Sequence, residues 1–259
     1  MHLFLSPHFD DAAYSCGATI YRLASQGVRV AVLTIMAGGV PKPLPDTPLL
    51  RELHKRWQVD GCQAVKVRLR EDKRALKHLK AQALYFDLPD CVYRVVDGHP
   101  LYPTEAHLWG EIHPHDYAPR LLTQSTQLTS ELIGHRVEVI YAPLAVGRHV
   151  DHRIVRDWAR MLSRIRTEWR LKFYTDFPYM RDETAIHRAL DDVDEALCHE
   201  DACFTTLDLE ARLKAMAEYK SQVSTFWEDE EAMAEDTRRA FSRLSGDYAE
   251  RFWIREVSQ

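Results

Sequence analysis

Three segments near the amino terminus follow one another with little between them: an apolar run at residues 3–6, a one-sided helical stripe (Ala13, Cys16, Gly17, Ile20, Leu23, Ala24), and a second apolar run at 28–34. Strand, helix and buried strand in that order constrain the fold more than any other feature of the chain. Apolar runs without polar alternation are strands covered on both faces, the habit of parallel sheets. Gly27 supplies the helix stop, and the crossover between two parallel strands is right-handed. The unit predicts an α/β fold: a single Rossmann-like domain with a mostly parallel sheet flanked by helices.

The rest of the chain fits that frame. Residues 36–49, with Gly38-Gly39 and several prolines, read as a loop. Helices are predicted at 49–57 and 62–79, a strand near 83–86, a helix near 119–133 and a strand at 137–141. Ile154, Val155, Trp158, Met161, Leu162 and Ile165 form a further helical face, and 171–174 reads as a strand. Helices at 209–223 and 230–244 make residues near 205–259 a C-terminal helical portion of one domain spanning 1–259. Residues 88–117, rich in Pro, His and aromatics, show no period. Loops of that length in a compact domain are usually functional or mobile.

Composition excludes several functions. A net charge of -5 disfavours a nucleic-acid partner, and no apolar run is long enough for a membrane span. The start of the chain has no basic segment of the signal-peptide kind. The five cysteines are scattered without a CxxC pair, which predicts reduced thiols and a cytoplasmic location. Nothing marks an interface between copies, so a homo-oligomer stays open.

Chemistry concentrates at two strand-to-helix junctions. His8, Asp10 and Asp11 follow the first strand, and His149-Val150-Asp151-His152 follow the strand at 137–141. In an open α/β sheet the carboxyl ends of strands converge on one crevice. His8, Asp11 and His152 would there supply two imidazoles and a carboxylate, a set that holds zinc and leaves a position for water. Asp10 is placed to act as general base, and His149, if protonated, as donor to a developing oxyanion. Asp151 is expected to orient the His149 imidazole or raise its pKa. A plainer reading stands beside this one: Asp10 or Asp11 caps the helix beginning near Ala12, and Asp151 caps its own helix. His113-Pro114-His115-Asp116 has ligand-type residues but no strand before it, and reads as rim or plain loop. Gly38-Gly39 lacks the G-x-G-x-x-G pattern of nucleotide sites.

At these residues the chain resembles the PIG-L/LmbE-like family of zinc-dependent N-acetylglucosaminyl de-N-acetylases. The family's opening His-Pro-Asp-Asp-Glu-type motif stands here as His8-Phe9-Asp10-Asp11-Ala12, and its His-x-Asp-His motif as His149-Val150-Asp151-His152. Supporting stretches are Arg68-Leu69-Arg70-Glu71-Asp72, Leu88-Pro89-Asp90, Tyr174-Thr175-Asp176-Phe177-Pro178-Tyr179 and Tyr219-Lys220-Ser221-Gln222. The resemblance implies one Zn2+, or another divalent metal, on His8, Asp11 and His152. It implies Asp10 as general base for attack of zinc-bound water, His149 stabilising the tetrahedral intermediate with Asp151 in support, and Arg68 and Asp90 as substrate contacts. The implied substrate is a small-molecule amino-sugar conjugate bearing an N-acetyl group. Arg68 read without the family is a surface residue paired with Asp72 one turn away. Phe9 and Ala12 depart from the motif. The lost glutamate motivates a rival reading, a zinc-bearing sugar binder without turnover; a metal-free Rossmann-like transferase is the third. Tyr93, Tyr102, Trp109 and Tyr117 either stack on a sugar or pack beneath the loop.

Overall fold

The computed structural model describes residues 1–59, 61–133, 137–243 and 247–256, with side chains throughout except at 127–133. In chain order the elements are β1 (His2–Ser6), α1 (Asp11–Ser25), β2 (Val30–Thr34), α2 (Pro48–Arg56), α3 (Ala64–His78), β3 (Gln82–Tyr85), β4 (Val95–Val96), β5 (His99–Pro100) and α4 (Glu105–Leu108). They continue with α5 (Ala118–Ile133), β6 (Val139–Pro143), α6 (Val150–Ile165), β7 (Arg170–Tyr174), α7 (Glu183–Asp191), β8 (Leu197–Phe204), α8 (Thr206–Met216), α9 (Lys220–Phe226), α10 (Glu230–Phe241) and β9 (Tyr248–Arg255).

The main sheet runs β3-β2-β1-β6-β7-β9-β8. Its first five strands are parallel, and β9 is antiparallel to both neighbours. The fold is thus a single α/β domain with a mostly parallel central sheet flanked by helices. β1 shows how the sheet is sandwiched. Phe4 packs with α1, α3 and α8 on one face, and Leu3 and Leu5 pack with α5 and α6 on the other, the two-residue period of a strand buried on both sides. Strand order reverses between β1 and β6, the switch point at which such sheets open a crevice. Both predicted clusters leave the sheet there.

The C-terminal portion differs from expectation. Residues 248–255 are a sheet strand, so 205–259 is not a helical portion alone; β8 and β9 pair along eight residues, and the polar residues His199-Glu200-Asp201 and Glu250-Arg251 inside them hid both from a search for apolar runs. The helix predicted at 209–223 breaks between α8 and α9. Tyr219 at the break is fully buried and its hydroxyl donates to Asp72 Oδ1 at 2.9 Å, while Ser221 donates from its backbone N–H and hydroxyl to Glu71. Leu244, the predicted last residue of the final helix, and residues 257–259 of the predicted domain lie outside the described residues. Within 88–117 the β4–β5 hairpin turns on Asp97 (φ 51°) and Gly98 (φ 81°), the paired left-handed residues of a two-residue hairpin loop.

One anchor ties the C-terminal portion to α1. Arg212 and Glu250 are buried and paired at 3.2 Å. Glu250 accepts from the N–H groups of Ala18 (3.0 Å) and Thr19 (2.9 Å), and Arg212 donates to the Tyr14 carbonyl. Tyr14 C=O and Ala18 N–H, partners in an unbroken helix, thus both engage the ion pair. Gly17 lets it approach: a Cβ there would lie 2.7 Å from Arg212 Cγ.

Candidate active site

All eight predicted site residues come together at the β1–β6 switch point. The Ser6 hydroxyl accepts from Ala12 N–H (3.0 Å) and donates to the His8 carbonyl (2.5 Å), closing the β1–α1 turn so that His8, Asp10 and Asp11 emerge at the crevice. Asp10 stands at the N-cap of α1 but makes no side-chain cap bond, which removes the capping reading for it. Asp11 Oδ2 accepts from His8 N–H at 2.7 Å. At the second junction His149, not Asp151, caps α6: its Nδ1 accepts from Asp151 N–H at 3.2 Å.

Two imidazoles are held at both nitrogens. His8 Nδ1 lies 3.2 Å from Asp11 Oδ2, and its Nε2 lies 3.0 Å from Asp151 Oδ2. His152 Nε2 lies 3.4 Å from the same Asp11 oxygen, and its Nδ1 lies 2.7 Å from Asp176 Oδ1. A neutral imidazole carries one proton, so two rings facing carboxylates at all four nitrogens require added positive charge. Protons meet the need without a metal: burial opposes the charge on His152, but Asp11 and Asp176 outweigh it and lift its pKa to about 10. A divalent cation meets it equally. Donors on a tetrahedral zinc shell stand about 3.3 Å apart, which the two separations from Asp11 Oδ2 fit. Carboxylates behind ligating histidines are the usual outer support of such a shell. The rings of His8, His149 and His152 also bring nitrogens within 4.8 Å of one another. Asp11 Oδ2 lies within 3.4 Å of one nitrogen of each of His8 and His152, and His149 Nδ1 accepts a backbone bond.

Asp151 serves both histidines: its N–H donates to His149 Nδ1 and its charge raises the pKa of that ring, while its Oδ1 accepts from Arg94 and its Oδ2 from Cys91 N–H at 3.0 Å beside His8. Arg94 holds it ionised against burial. The His149 pKa is pushed well below its usual value by burial and by His8 and His152. With Nδ1 accepting from Asp151 N–H, the neutral form of the ring carries its proton on Nε2.

Arg68, 7% exposed, is not the surface residue of the plainer reading. Its guanidinium lies between Asp10 Oδ1 and Asp90 Oδ2, 3.5 Å from each, over the rings of Trp57 and Phe9. Asp72 turns instead to the hydroxyls of Tyr85 and Tyr219. Burial raises the pKa of Asp10, with Arg68 pulling the other way. Ala12, 1% exposed, is packed in the core, so this departure takes nothing from the cleft wall. The cleft, about 250 Å³, is lined by His8, Asp10, Asp11, Arg68, Asp90, His149 and His152, with Trp57, Trp109, Tyr179 and Phe226 as aromatic walls. Of the central-loop aromatics only Trp109 reaches it; Tyr93 and Tyr102 pack beneath the loop and Tyr117 against the core.

Three residues of this network escaped the sequence reading of roles. Asp176 follows β7 and so obeys the strand-end rule that found the other clusters. Arg94 and Asp116 carry no such signal, and Asp116 is not the plain loop residue expected: it is buried, accepts from Arg94 and Tyr102, and caps α5 at Ala118 N–H.

An α/β sheet with histidines and carboxylates gathered at its switch point makes a metal-capable crevice. The PIG-L profile, described as GlcNAc-PI de-N-acetylase, matches residues 3–162, and the chain belongs to that family. It is an enzyme of the deacetylase class. The chain is 28% identical to 2'-N-acetylparomamine deacetylase of Niallia circulans, covering 98% of this chain and 90% of that protein. The zinc-inhibited form of teicoplanin deacetylase Orf2 superposes with a TM-score of 0.80 at 23% identity, over 100% of this chain and 99% of that one. The A40926 pseudoaglycone deacetylase Dbv21 gives 0.72 at 24%, over 100% and 98%. Among the described residues no helix is long and apolar enough to cross a membrane.

Proposed function

We propose that the chain is a metal-dependent hydrolase that removes the acetyl group from an N-acetylglucosamine-type sugar conjugate. The observation that carries this is Asp11 Oδ2, 3.2 Å from His8 Nδ1 and 3.4 Å from His152 Nε2, with the far nitrogens of both rings braced by Asp151 and Asp176. His8, Asp11 and His152 would hold the metal; two nitrogens and a carboxylate oxygen suit zinc. Bound there, the metal supplies Lewis acidity, lowering the pKa of water and polarising an amide carbonyl.

Asp10, free of cap bonds and facing the cleft, accepts the proton of the attacking water and returns it to the leaving amine. A carboxylate whose pKa is raised by burial is matched to both halves of that exchange. His149 donates a hydrogen bond from Nε2–H to the carbonyl oxygen as charge develops there. A neutral imidazole gives up no proton in doing so, and its place at the first turn of α6 keeps it neutral. Asp151 steadies His8 as well as His149. Arg68 and Asp90 bind substrate hydroxyls, and Trp109 offers an aromatic face to a sugar ring. The deacetylation of an amino sugar by the relative from Niallia circulans supports this substrate class. Five free thiols suit the cytoplasm.

Acetate release from a panel of N-acetylglucosaminides with varied aglycones tests the reading. Zinc-loaded protein is expected to release acetate, chelation to stop it, and zinc to restore it. Silence across the panel, or release untouched by chelation, overturns it.

A further inference from the structure

Arg94 is fully buried, and every nitrogen of its guanidinium is used. Nε donates to the Pro89 carbonyl at 3.1 Å, Nη1 to Asp116 Oδ2 at 2.5 Å, and Nη2 to Asp151 Oδ1 and Met36 Sδ. Asp116 is fixed in turn by the Tyr102 hydroxyl at 2.7 Å. On the far side Asp151 Oδ2 receives Cys91 N–H and faces His8 Nε2, both at 3.0 Å. A continuous chain, Tyr102–Asp116–Arg94–Asp151–His8, therefore runs from the irregular segment 88–117 to the imidazole at the crevice. The same segment carries Asp90, which caps its own short turn at Val92 N–H (3.2 Å) and pairs with Arg68, and Trp109, which meets the His149 ring edge-on at 5.2 Å.

We propose that Arg94 is a positioning residue of the hydrolytic site: by bridging Asp151 and Asp116 it fixes the face that His8 presents to the metal, and binds the substrate loop to the metal centre as one unit. The proposal rests on the reading of His8 as a ligand. Two physical facts carry it. Asp151 meets the His8 ring with Oδ2 at 3.0 Å while Arg94 holds its Oδ1, so the carboxylate that faces the ring is fixed from behind. A planar guanidinium spans two carboxylates at fixed angles, which an ammonium on a flexible stem does not. Loss of an outer partner of a ligating histidine costs about 10- to 100-fold in metal affinity or activity.

The test measures zinc affinity by chelator competition on the metal-stripped protein, alongside kcat and KM for acetate release. Arg94→Lys keeps the charge and loses the fork; Asp116→Asn keeps Arg94 and frees its outer end; His8→Ala is the control. In Arg94→Lys we expect zinc affinity to fall about tenfold or more with kcat lowered. Asp116→Asn should show a smaller change in the same direction, with folding retained in circular dichroism. Wild-type zinc affinity in folded Arg94→Lys overturns the proposal, even if its melting temperature drops, because a merely structural arginine would lower stability alone. Should Arg94→Lys not fold, Asp116→Asn decides by the same criterion. If His8→Ala leaves zinc affinity unchanged, it is the ligand reading that has failed; if His8→Ala loses zinc and the other two do not, only the role of Arg94 has.

Discussion

Arg94 at the crevice and Arg212 beneath α1 are both closed to solvent, yet they are held in opposite ways. Arg94 lies between two carboxylates, and although burial works against its charge, Asp151 and Asp116 raise its pKa. Arg212 has one carboxylate, Glu250, which also serves two backbone N–H groups. Its Nε has no partner, and burial brings its pKa down to about 10. At the crevice, buried charge is over-supplied with opposite charge, as the metal centre proposed above would require. Under α1 the charge is barely balanced, and its work is to fasten one part of the chain to another. Polar burial near the site should therefore govern turnover, and polar burial in the C-terminal anchor should govern stability.

Asp10→Asn should separate the two regions most sharply. We expect turnover to fall by about 10² to 10⁴-fold, with zinc affinity and melting temperature near wild type, as read by acetate release, chelator competition and thermal unfolding. A large loss of stability would show that Asp10 belongs to the scaffold. Arg212→Met should do the reverse. Removing one partner of a buried pair costs about 3–5 kcal/mol, so denaturant unfolding should register it while zinc affinity of the folded fraction holds. Zinc affinity falling in step with stability would erase the distinction.

Asp72 tests the border between the regions through pH. Burial raises its pKa from 3.8 to about 7, with the Tyr85 and Tyr219 hydroxyls pulling the other way. Below the unfolded pKa both states are protonated and the group is neutral to stability. Between about pH 4 and 7 the unfolded chain loses the proton while the fold keeps it, so stability falls as pH rises, by roughly 4 kcal/mol across the interval. Asp72→Asn removes that dependence. Its melting temperature should decline less than that of wild type between pH 5 and 8, and parallel declines would locate the titrating group elsewhere. Smallest is Gly17→Ala. The new methyl meets Arg212 Cγ at 2.7 Å, and overpacking of this kind costs about 1–3 kcal/mol. A variant as stable as wild type would show that the Arg212 stem yields without strain.

The parallel half of the fold was legible because its signals are local. An apolar run, a helical stripe and a His/Asp cluster at the junction each fit within a few residues, and the switch-point rule joined the clusters across the sheet. What bound them into a site was legible only in part. The strand-end rule reaches Asp176 as it reaches His8. Arg94 comes from a segment without a period, and its partners at Asp116 and Asp151 are fixed by the path of that segment alone. Asp97-Gly98 was a hairpin signal in plain view, passed over in a stretch read as irregular. β8 and β9 were missed because charged or polar residues interrupt both, His199-Glu200-Asp201 in one and Glu250-Arg251 in the other, and leave only short apolar runs. The protonation of His149 was not legible at all, because it is set by burial and by the His8 and His152 rings that the fold brings beside it.

Asp176 lies beyond residue 162, where the family match ends, yet it braces the His152 ring at 2.7 Å. Chimeras that graft the matched segment of one family member onto the remainder of another would join the His152 ring to a foreign brace, and shuffling at that boundary should scramble metal preference before it touches substrate choice. A safer crossover lies after the 174–179 stretch, where the inherited unit carries its own brace with it.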